Sequence, residues 1–194
     1  MKYSECAQFK TKYGKFNYIA AQSAAGKQHS VLWIGEVETL TPLLLRVQSA
    51  CLTSTALGGT ICDCAGQLEM SFAAITSAGR GIILYLDQEG RGHGLYEKVN
   101  TMYAMNNGAD TVSAFTNRGL EADIRSYTDV GPLLQKINVS APLICLTNNL
   151  NKISTLTSLG FQIAERQSIN VPKRPEIEGY LEAKRKKLGH IIPE

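Results

Sequence analysis

Three patterns in the amino-acid sequence predict an α/β fold. The first fifty residues are rich in short segments with the composition and alternation of β-strands. Residues 81–86, GIILYL, form a continuous apolar run, which indicates a strand that is buried on both faces of a sheet. Residues 142–164 run as strand, turn, helix and strand, the order of a βαβ unit. Since no long linker divides the chain, we expect a single domain over residues 1–194.

Three strands are predicted before residue 50. Residues 15–20 alternate in polarity, whereas residues 30–37 and 43–47 are apolar segments that follow turn-forming residues. The third of these strands runs within a few residues into a cluster of cysteines. Because the end of a strand is held by a rigid sheet, chemically reactive side chains are expected at this point.

The apolar period lengthens to that of a helix beyond residue 64. Residues 68–79 and 95–105 are predicted helices, and the second carries Leu95, Val99 and Met102 on one apolar stripe. A glycine ends the first helix, and an Asn-Asn-Gly sequence ends the second.

The second half of the chain adds shorter elements. Residues 111–115 are a candidate for a short strand, and residues 132–137 predict a short helix. Residues 180–190 predict a last helix with four consecutive basic residues, which we interpret as a solvated basic face.

Three of the five cysteines lie within fourteen residues of one another. Cys51 is followed by ten residues, Cys62, one residue and Cys64. Three thiolates with one open position are typical of a catalytic zinc site, because structural zinc sites close all four positions. The alternative is that these are small apolar side chains buried in the core. Cys6 and Cys145 are distant in the sequence, and nothing favours either of them as a fourth ligand.

Composition limits the classes of partner. With 20 basic and 17 acidic residues, the net charge of +3 is too weak a bias to indicate a nucleic-acid partner. No apolar run approaches the length of a membrane span, and the first residues show no apolar signal segment. Free cysteines without a secretion signal indicate a reducing compartment, so a cytoplasmic location is expected.

Two polar segments are candidates for ligand binding. Residues 87–94, DQEGRGHG, hold three glycines that allow close backbone approach to a ligand, and Arg91 is a bidentate phosphate donor. Asp123 and Arg125 are two residues apart, so both side chains would face one site only in an extended or turned segment.

Seven blocks, spread over nearly the whole chain, together match one known family. They are RVQSACLT, CDCAGQLE, GRGIILYLDQEGRGHGL, GADTV, LEADIRSY, LTNN-LNK and YLEAKRKKLGH. In these blocks the chain resembles GTP cyclohydrolase II, the zinc enzyme that opens riboflavin biosynthesis. The resemblance implies a three-layer α/β/α fold with a mixed β-sheet, and a homodimer. It implies a hydrolase that releases pyrophosphate from GTP with the help of Mg²⁺, opens the imidazole ring at C8 on zinc, and expels formate.

The resemblance also implies roles for individual residues. Cys51, Cys62 and Cys64 fall on the zinc ligands, and zinc would lower the pKa of its water to about 7. Asp123 falls on the family's proton acceptor, and Arg125 on its proposed nucleophile at the α-phosphorus. Because arginine is normally protonated, stabilisation of the departing pyrophosphate is the easier role for it. The substrate-binding residues would be Arg46, Gln48, Ser49, Gln67, Glu89, Gly90, Arg91, Thr111, Thr147 and Lys152.

The chain departs from the family beside the first ligand. The family usually has Arg-Val-His-Ser-Glu-Cys, but here Gln48 and Ala50 replace the His and the Glu. The family's Gly-Asp after Leu-Thr is Ser54-Thr55 here. The chain therefore lacks two carboxylates near the phosphate and metal region, which bears on the place of Mg²⁺ and on the preference for a triphosphate.

A second departure concerns proton transfer. The family's catalytic tyrosine falls on Met102, and a thioether does not donate a proton as a phenol does. The neighbouring Tyr103 is turned by about 100° around the helix and so would not take its place. We therefore hypothesise that the reaction stops at the formamidopyrimidine nucleotide.

Two alternatives remain at this stage. The substitutions at Gln48, Ala50, Thr55 and Met102 favour a catalytically impaired paralogue that acts as a nucleotide- or zinc-binding partner. A cyclohydrolase for a different purine nucleotide is also compatible with the sequence. The three retained cysteines, with Asp123 and Arg125, favour an active enzyme.

Overall fold

A mixed β-sheet forms the centre of the protein. A computed structural model describes residues 1–172 and 175–192, and within them eight strands form one sheet. The strands are β1 (Lys2–Tyr3), β2 (Ala7–Thr11), β3 (Gly14–Gln22), β4 (Gln28–Ile34), β5 (Leu43–Ser49), β6 (Gly81–Leu86), β7 (Leu143–Leu146) and β8 (Ile163–Gln167). Their order is β1-β3-β4-β6-β5-β7-β8, and β2 also pairs with β3.

The sheet divides into an antiparallel half and a parallel half. β3 pairs with β4, and β4 with β6, in antiparallel register. β5 pairs in parallel with both β6 and β7, and β7 in parallel with β8. The predicted mixed sheet is confirmed. Because β5, β6 and β7 are parallel, the loops that follow them emerge at one edge, where open α/β sheets bind ligands.

Seven helices connect or follow the strands in the described residues. They are α1 (Leu52–Thr55), α2 (Cys64–Ala78), α3 (Gly94–Asn106), α4 (Ser113–Thr116), α5 (Val130–Lys136), α6 (Leu150–Ser158) and α7 (Pro175–Leu188), with a 3₁₀ turn at Glu89–Gly92. Among these residues, no helix combines the length and the apolar character that crossing a bilayer requires.

Helices cover both faces of the sheet, and β6 shows the division. Ile82 and Leu84 belong to an apolar cluster that includes Leu134 of α5 and Leu156 of α6. Ile83 points the other way, into a second cluster with Phe16 and with the apolar side of α2. Alternate residues of the strand thus serve two cores, as expected for a strand that is buried on both faces. The three-layer α/β/α prediction is confirmed.

Three local predictions were wrong or displaced. Residues 111–115 do not form a strand, because Asp110 Oδ1 accepts hydrogen bonds from the backbone N of Val112 (2.8 Å) and Ser113 (3.2 Å) and bends the chain into α4. The strand predicted at 161–164 begins at Ile163. The last helix begins at Pro175 rather than at residue 180.

The apolar stripe of α3 does not pack into the core. Leu95 and Val99 are 41% and 53% exposed, and their neighbours Tyr96 and Tyr103 are 78% and 73% exposed. Periodicity predicted the helix correctly, but not what its apolar side would contact. This side of α3 is an exposed apolar face made of Leu95, Tyr96, Val99 and Tyr103.

The position of Leu84 allows a test of the sheet's central role. Leu84 is fully buried in the middle of β6. We expect Leu84→Ala to lower the free energy of unfolding by about 2–5 kcal/mol, because it removes buried methyl groups and leaves a cavity. The matched control is Leu40→Ala at an 89% exposed position, where a change within about 0.5 kcal/mol is expected. Urea unfolding of both variants measures the difference, and equal losses would contradict the assigned core.

Candidate active site

A cleft opens at the edge of the sheet where β5, β6 and β7 end. It encloses about 1040 Å³ of space that is open to solvent, and fourteen of the fifteen predicted site residues line it. These are Arg46, Gln48, Ser49, Cys51, Cys62, Cys64, Gln67, Glu89, Gly90, Arg91, Thr111, Arg125, Thr147 and Lys152. Asp123 does not line the cleft, but it contacts Arg125, which does.

The three clustered cysteines converge at one end of the cleft. Their sulfur atoms all lie within 4.8 Å of one another, and Cys51 Sγ is 3.7 Å from Cys62 Sγ. Zn–S bonds of about 2.3 Å in a tetrahedral arrangement would hold two sulfurs about 3.8 Å apart. The geometry and the soft thiol donors therefore fit a zinc ion. Cys145 is buried in β7 and Cys6 is exposed, and neither belongs to this group.

Backbone contacts explain why the cysteines meet. Ala50 N donates to Leu86 O (2.7 Å), so the chain leaves β5 along the end of β6. The single turn of α1 then reverses its direction, with Thr55 Oγ1 donating to Cys51 O (2.8 Å). Cys64 is the first residue of α2. Cys51 is thus held by the end of the sheet, and Cys64 by the start of a helix.

Lys98 of α3 is a contact of the cysteines that periodicity did not reveal. Its Nζ lies 2.9 Å from Cys51 Sγ and 2.8 Å from Glu89 Oε1. Hydrogen bonds with the Cys62 and Cys64 thiols, and then with Lys98, hold the pKa of Cys51 well below its usual value. Burial lowers the pKa of Lys98, but its bonds to Cys51 and Glu89 outweigh burial and raise it. Lys98 therefore compensates negative charge on the Cys51 sulfur.

The carboxylate of Glu89 is bonded within the protein and is not free to bind a ligand in the cleft. Its Oε2 accepts from the backbone N of Leu52 (2.6 Å), and its Oε1 accepts from Gly90 N (2.9 Å) and from Lys98. The residues that follow, Gly90 and Arg91, both have positive φ, 58° and 57°. This is a conformation that glycine adopts freely and arginine rarely does. The Glu89 contacts therefore stabilise an uncommon turn that aims Arg91.

A buried polar network lies beneath the cleft floor. Arg46 donates to Gln48 Oε1 from Nε (3.0 Å), to Gln67 Oε1 from Nη2 (2.7 Å) and to Leu146 O from Nη1 (2.9 Å). Burial lowers the pKa of Arg46 to about 10, so it stays charged at neutral pH. Most of its donors are used within the protein, so Arg46 holds the two glutamines in place.

Arg91 is fixed across the cleft by residues from the following loop. Its Nη2 donates to Thr111 Oγ1 (2.6 Å) and its Nη1 donates to Ala122 O (3.1 Å). The guanidinium also lies over the ring of Phe115, 5.1 Å from its centroid. These contacts restrict the planar group to one orientation, which suits bidentate binding of an oxyanion.

Asp123 and Arg125 lie in a stretch without helix or strand, so both side chains reach one place. Arg125 Nε donates to Asp123 Oδ1 (2.8 Å), and Arg125 Nη2 contacts Asp123 Oδ2. Burial lowers the pKa of Arg125, but the bond to Asp123 outweighs it, and the pKa of Arg125 rises above its usual value. Arg125 is therefore a permanent cation at this site.

Cationic side chains are crowded around Lys152 in the cleft. Lys152 is buried, and its Nζ donates to Val47 O (2.7 Å). Burial holds the pKa of Lys152 well below its usual value, and repulsion from Arg46 and Arg125 lowers it further. A bound polyanion would relieve this repulsion. The electrostatics therefore favour a phosphate-bearing ligand.

The carboxylates of the cleft region are all engaged by cations. Asp63 pairs with Lys184, Glu89 with Lys98, and Asp123 with Arg125. Within the described residues, the three cysteines are the group whose ligand atoms could hold a metal ion. A magnesium site built by free carboxylates of this chain therefore does not fit the cleft.

The last helix supplies cleft residues that sequence patterns did not single out. Tyr180, Lys184, Leu188 and His190 line one wall, and Lys184 is buried rather than part of a solvated basic face. Met102 and Met105 of α3 also line the cleft. Tyr103 does not line the cleft, so its phenol does not take the place of the family's tyrosine at position 102.

Comparison with known proteins gives one consistent result. A sequence model of the family GTP cyclohydrolase II matches residues 2–168. A GTP cyclohydrolase-2 of Pseudomonas syringae pv. tomato is 43% identical over 171 residues, 88% of this chain and 83% of its own length. A GTP cyclohydrolase-2 of Teredinibacter turnerae is 39% identical over 193 residues, 99% of this chain and 96% of its own length.

The likeness to solved structures is weaker. RibBX, a two-domain 3,4-dihydroxy-2-butanone 4-phosphate synthase from A. baumannii, superposes with a TM-score of 0.45 at 11% identity. The match covers 88% of this chain and 40% of the other. So distant a likeness does not bear on function.

His190 offers a test of how the cleft wall is packed. Burial, with repulsion from Lys184, lowers the pKa of His190 to about 3. We expect its imidazole to stay neutral down to about pH 4, whereas the unfolded chain takes up this proton near pH 6.5. The residue's contribution to stability is therefore lost as pH falls from about 6.5 towards 3. NMR titration, with His190→Gln to assign the signal, measures this, and a midpoint near pH 6.5 would contradict the packing.

Proposed function

The chain belongs to the GTP cyclohydrolase II family, and from this premise we propose that it is a zinc-dependent hydrolase acting on GTP. It opens the imidazole ring of the purine and releases pyrophosphate. The observation that carries the proposal is the pairing, in one cleft, of three convergent cysteine sulfurs with a cluster of buried cations. The family's members are hydrolases, and the chain aligns with them over nearly its whole length.

The cationic end of the cleft would bind the triphosphate. Arg91 and Arg125 present guanidinium groups that are held rigid by Thr111 and Asp123. Rigid guanidinium groups bind phosphate oxygens in bidentate fashion and stabilise charge that develops on a leaving group. Because Arg125 stays protonated, its role is to stabilise the departing pyrophosphate, and Asp123 orients it. Lys152 regains a full charge when phosphates approach it.

The thiol end of the cleft would hold zinc through Cys51, Cys62 and Cys64. When bound, zinc supplies a Lewis acid that activates water for attack at C8 of the base. Lys98 neutralises charge on the Cys51 sulfur and connects it to Glu89. Magnesium would be bound by the phosphates of the nucleotide, because the carboxylates of the cleft are already paired with cations.

Met102 supports a reaction that ends early. Ring opening consumes one water and breaks the C8–N9 bond, which leaves C8 as a formyl group on N7. Loss of formate needs a second water and a further proton transfer. At the position where the family has a phenol, this chain presents a thioether to the cleft, which neither donates nor relays a proton. We therefore propose the formamidopyrimidine nucleotide as the product.

A homodimer is also part of the proposal. Leu95, Tyr96, Val99 and Tyr103 form the exposed apolar face of α3. An exposed apolar patch of this kind is typical of a surface that contacts another protein. A second copy of the chain is the partner that the family resemblance implies, and its contact would bury this face.

Product analysis tests the proposed reaction. Incubation with GTP, zinc and Mg²⁺ is expected to change the purine's ultraviolet spectrum and to yield pyrophosphate and a formamidopyrimidine monophosphate without stoichiometric formate. Mass spectrometry and a formate assay measure the products. Intact GTP with retained binding would instead support a catalytically impaired, nucleotide-binding partner. Formate in a one-to-one ratio with pyrophosphate would contradict the early end of the reaction.

A substitution separates the role of Met102 from that of its surroundings. Met102→Tyr places a phenol in the cleft and is expected to raise formate release at least about tenfold, within the range that general acid–base groups contribute. The matched control is Met105→Tyr, at a methionine of the same helix that also lines the cleft. If the unaltered chain already releases formate and Tyr180→Phe abolishes it, the phenol is supplied by α7 and the Met102 proposal fails.

Metal analysis tests the thiol site directly. Purified protein is expected to hold about one zinc per chain, as in sites with three protein ligands. Cys62→Ser is expected to lose the ion on dialysis, whereas the exposed Cys6→Ser should retain it. Plasma emission spectrometry of the dialysed variants gives the content, and equal retention by both would exclude Cys62 as a ligand.

A further inference from the structure

A buried ion pair connects the thiol site to the last helix. Asp63 lies between Cys62 and Cys64, and its carboxylate oxygens are 3.1 and 3.2 Å from Lys184 Nζ of α7. The two side chains are 2% and 9% exposed. Gln67 Nε2 donates to the same carboxylate (2.7 Å). None of the proposed chemical steps uses this pair.

A pair buried to this degree has a positional consequence. Removing two charges from water is costly, and the cost is recovered only if the two groups keep close contact and their remaining bonds are satisfied. The Asp63 carboxylate has both Gln67 and Lys184 as donors, and the Lys184 ammonium also lies 4.9 Å from the centroid of the Tyr180 ring. If α7 moved away, the Asp63 charge would lose its cation.

α7 forms a wall of the cleft and is attached at both ends. Before it, Val171 packs so closely on the first turn of α2 that a Cβ at Gly66 would lie 2.1 Å from it. After it, Ile191 N donates to Asn148 O (2.9 Å), in the loop that follows β7. Between these attachments, Tyr180 and His190 face the cleft. The position of α7 therefore determines whether this wall is present.

We infer that Lys184 is a positioning residue that couples zinc binding at Cys51, Cys62 and Cys64 to docking of α7 over the cleft. The inference rests on the proposed zinc site. An ion held by Cys62 and Cys64 fixes the backbone on both sides of Asp63, and so fixes its carboxylate where Lys184 needs it.

The coupling operates in both directions. Any free energy by which zinc favours the docked helix is equally the free energy by which docking favours zinc. Zinc binding therefore shifts α7 towards the docked position, in which Tyr180 and His190 form the wall of the cleft. Loss of zinc shifts it towards release by the same factor.

Hydrogen exchange of the full chain measures the docking of α7. Peptides covering residues 175–190 are compared by mass spectrometry in chelator-treated protein and in the same protein reloaded with zinc. Zinc is expected to slow exchange in these peptides on the order of tenfold, a usual size for coupling between sites. Peptides of β5 and β6 serve as the internal control, and their exchange is expected to be unchanged.

Two lysine variants provide the matched comparison. Lys184→Met is expected to abolish the effect of zinc on α7 and to weaken zinc binding by the same factor, on the order of tenfold. Lys186→Met removes an equal charge from the same helix at an exposed pair with Glu182, and is expected to behave like the unaltered chain. Lys184→Arg keeps a cation and is expected to retain part of the coupling.

The outcomes separate this inference from the proposed function. If the unaltered chain binds zinc but exchange in α7 does not change, the coupling is wrong and the zinc site stands. If the unaltered chain binds no zinc at the three cysteines, the proposed function fails, and the coupling fails with it. If Lys184→Met does not fold, the comparison of zinc-free and zinc-loaded unaltered protein still decides.

Discussion

The convergence of three cysteine sulfurs at the edge of the sheet is the constraint on which the rest of the site depends. Thiols within 4.8 Å of one another, in a largely buried place, need a rigid frame and compensation for any charge they carry. The frame comes from the end of β5 and the start of α2. The compensation comes from Lys98, whose ammonium lies 2.9 Å from the Cys51 sulfur.

The buried charges of the cleft are of two kinds. Near the thiols, each carboxylate is paired with a lysine, Glu89 with Lys98 and Asp63 with Lys184. Arg46, Arg91 and Lys152 instead donate to neutral oxygen atoms. Burial, together with repulsion from Arg46 and Arg125, holds the pKa of Lys152 well below its usual value. A nucleotide with a polyphosphate matches these cations, because its phosphates carry the opposite charge.

Four departures from the family pattern lie in or beside the cleft, on a retained scaffold. The chain keeps the mixed sheet, the three cysteines and the Asp123–Arg125 pair, and it differs at Gln48, Ala50, Thr55 and Met102. In the structure Gln48 accepts from Arg46, and Thr55 donates to Cys51 O, so both replacements have become parts of the framework. Met102 is different, because it faces the cleft and offers no donor. A change of reaction outcome would therefore arise from Met102 sooner than from the other three.

The sequence by itself determined the features that depend on neighbours along the chain. The apolar run of β6, the period of α2 and the Cys-x₁₀-Cys-x-Cys spacing are local, and they predicted an α/β fold and the sulfur cluster, whereas the mixed sheet was implied by the family resemblance. The local pattern of polarity gave a wrong prediction at residues 111–115, because the Asp110 side chain bends the backbone there. It also gave a wrong prediction of what α3 packs against, because the apolar stripe of this helix faces solvent.

Only the tertiary structure decided which distant residues meet. The Lys98–Cys51 and Lys184–Asp63 contacts join residues 47 and 121 positions apart, and no periodicity records such pairs. The basic run of α7 was therefore interpreted as a solvated face, whereas the fold places Lys184 against Asp63, between Cys62 and Cys64. The physical reason is that burial turns an ordinary surface charge into one that must be paired, and burial is a property of the whole fold.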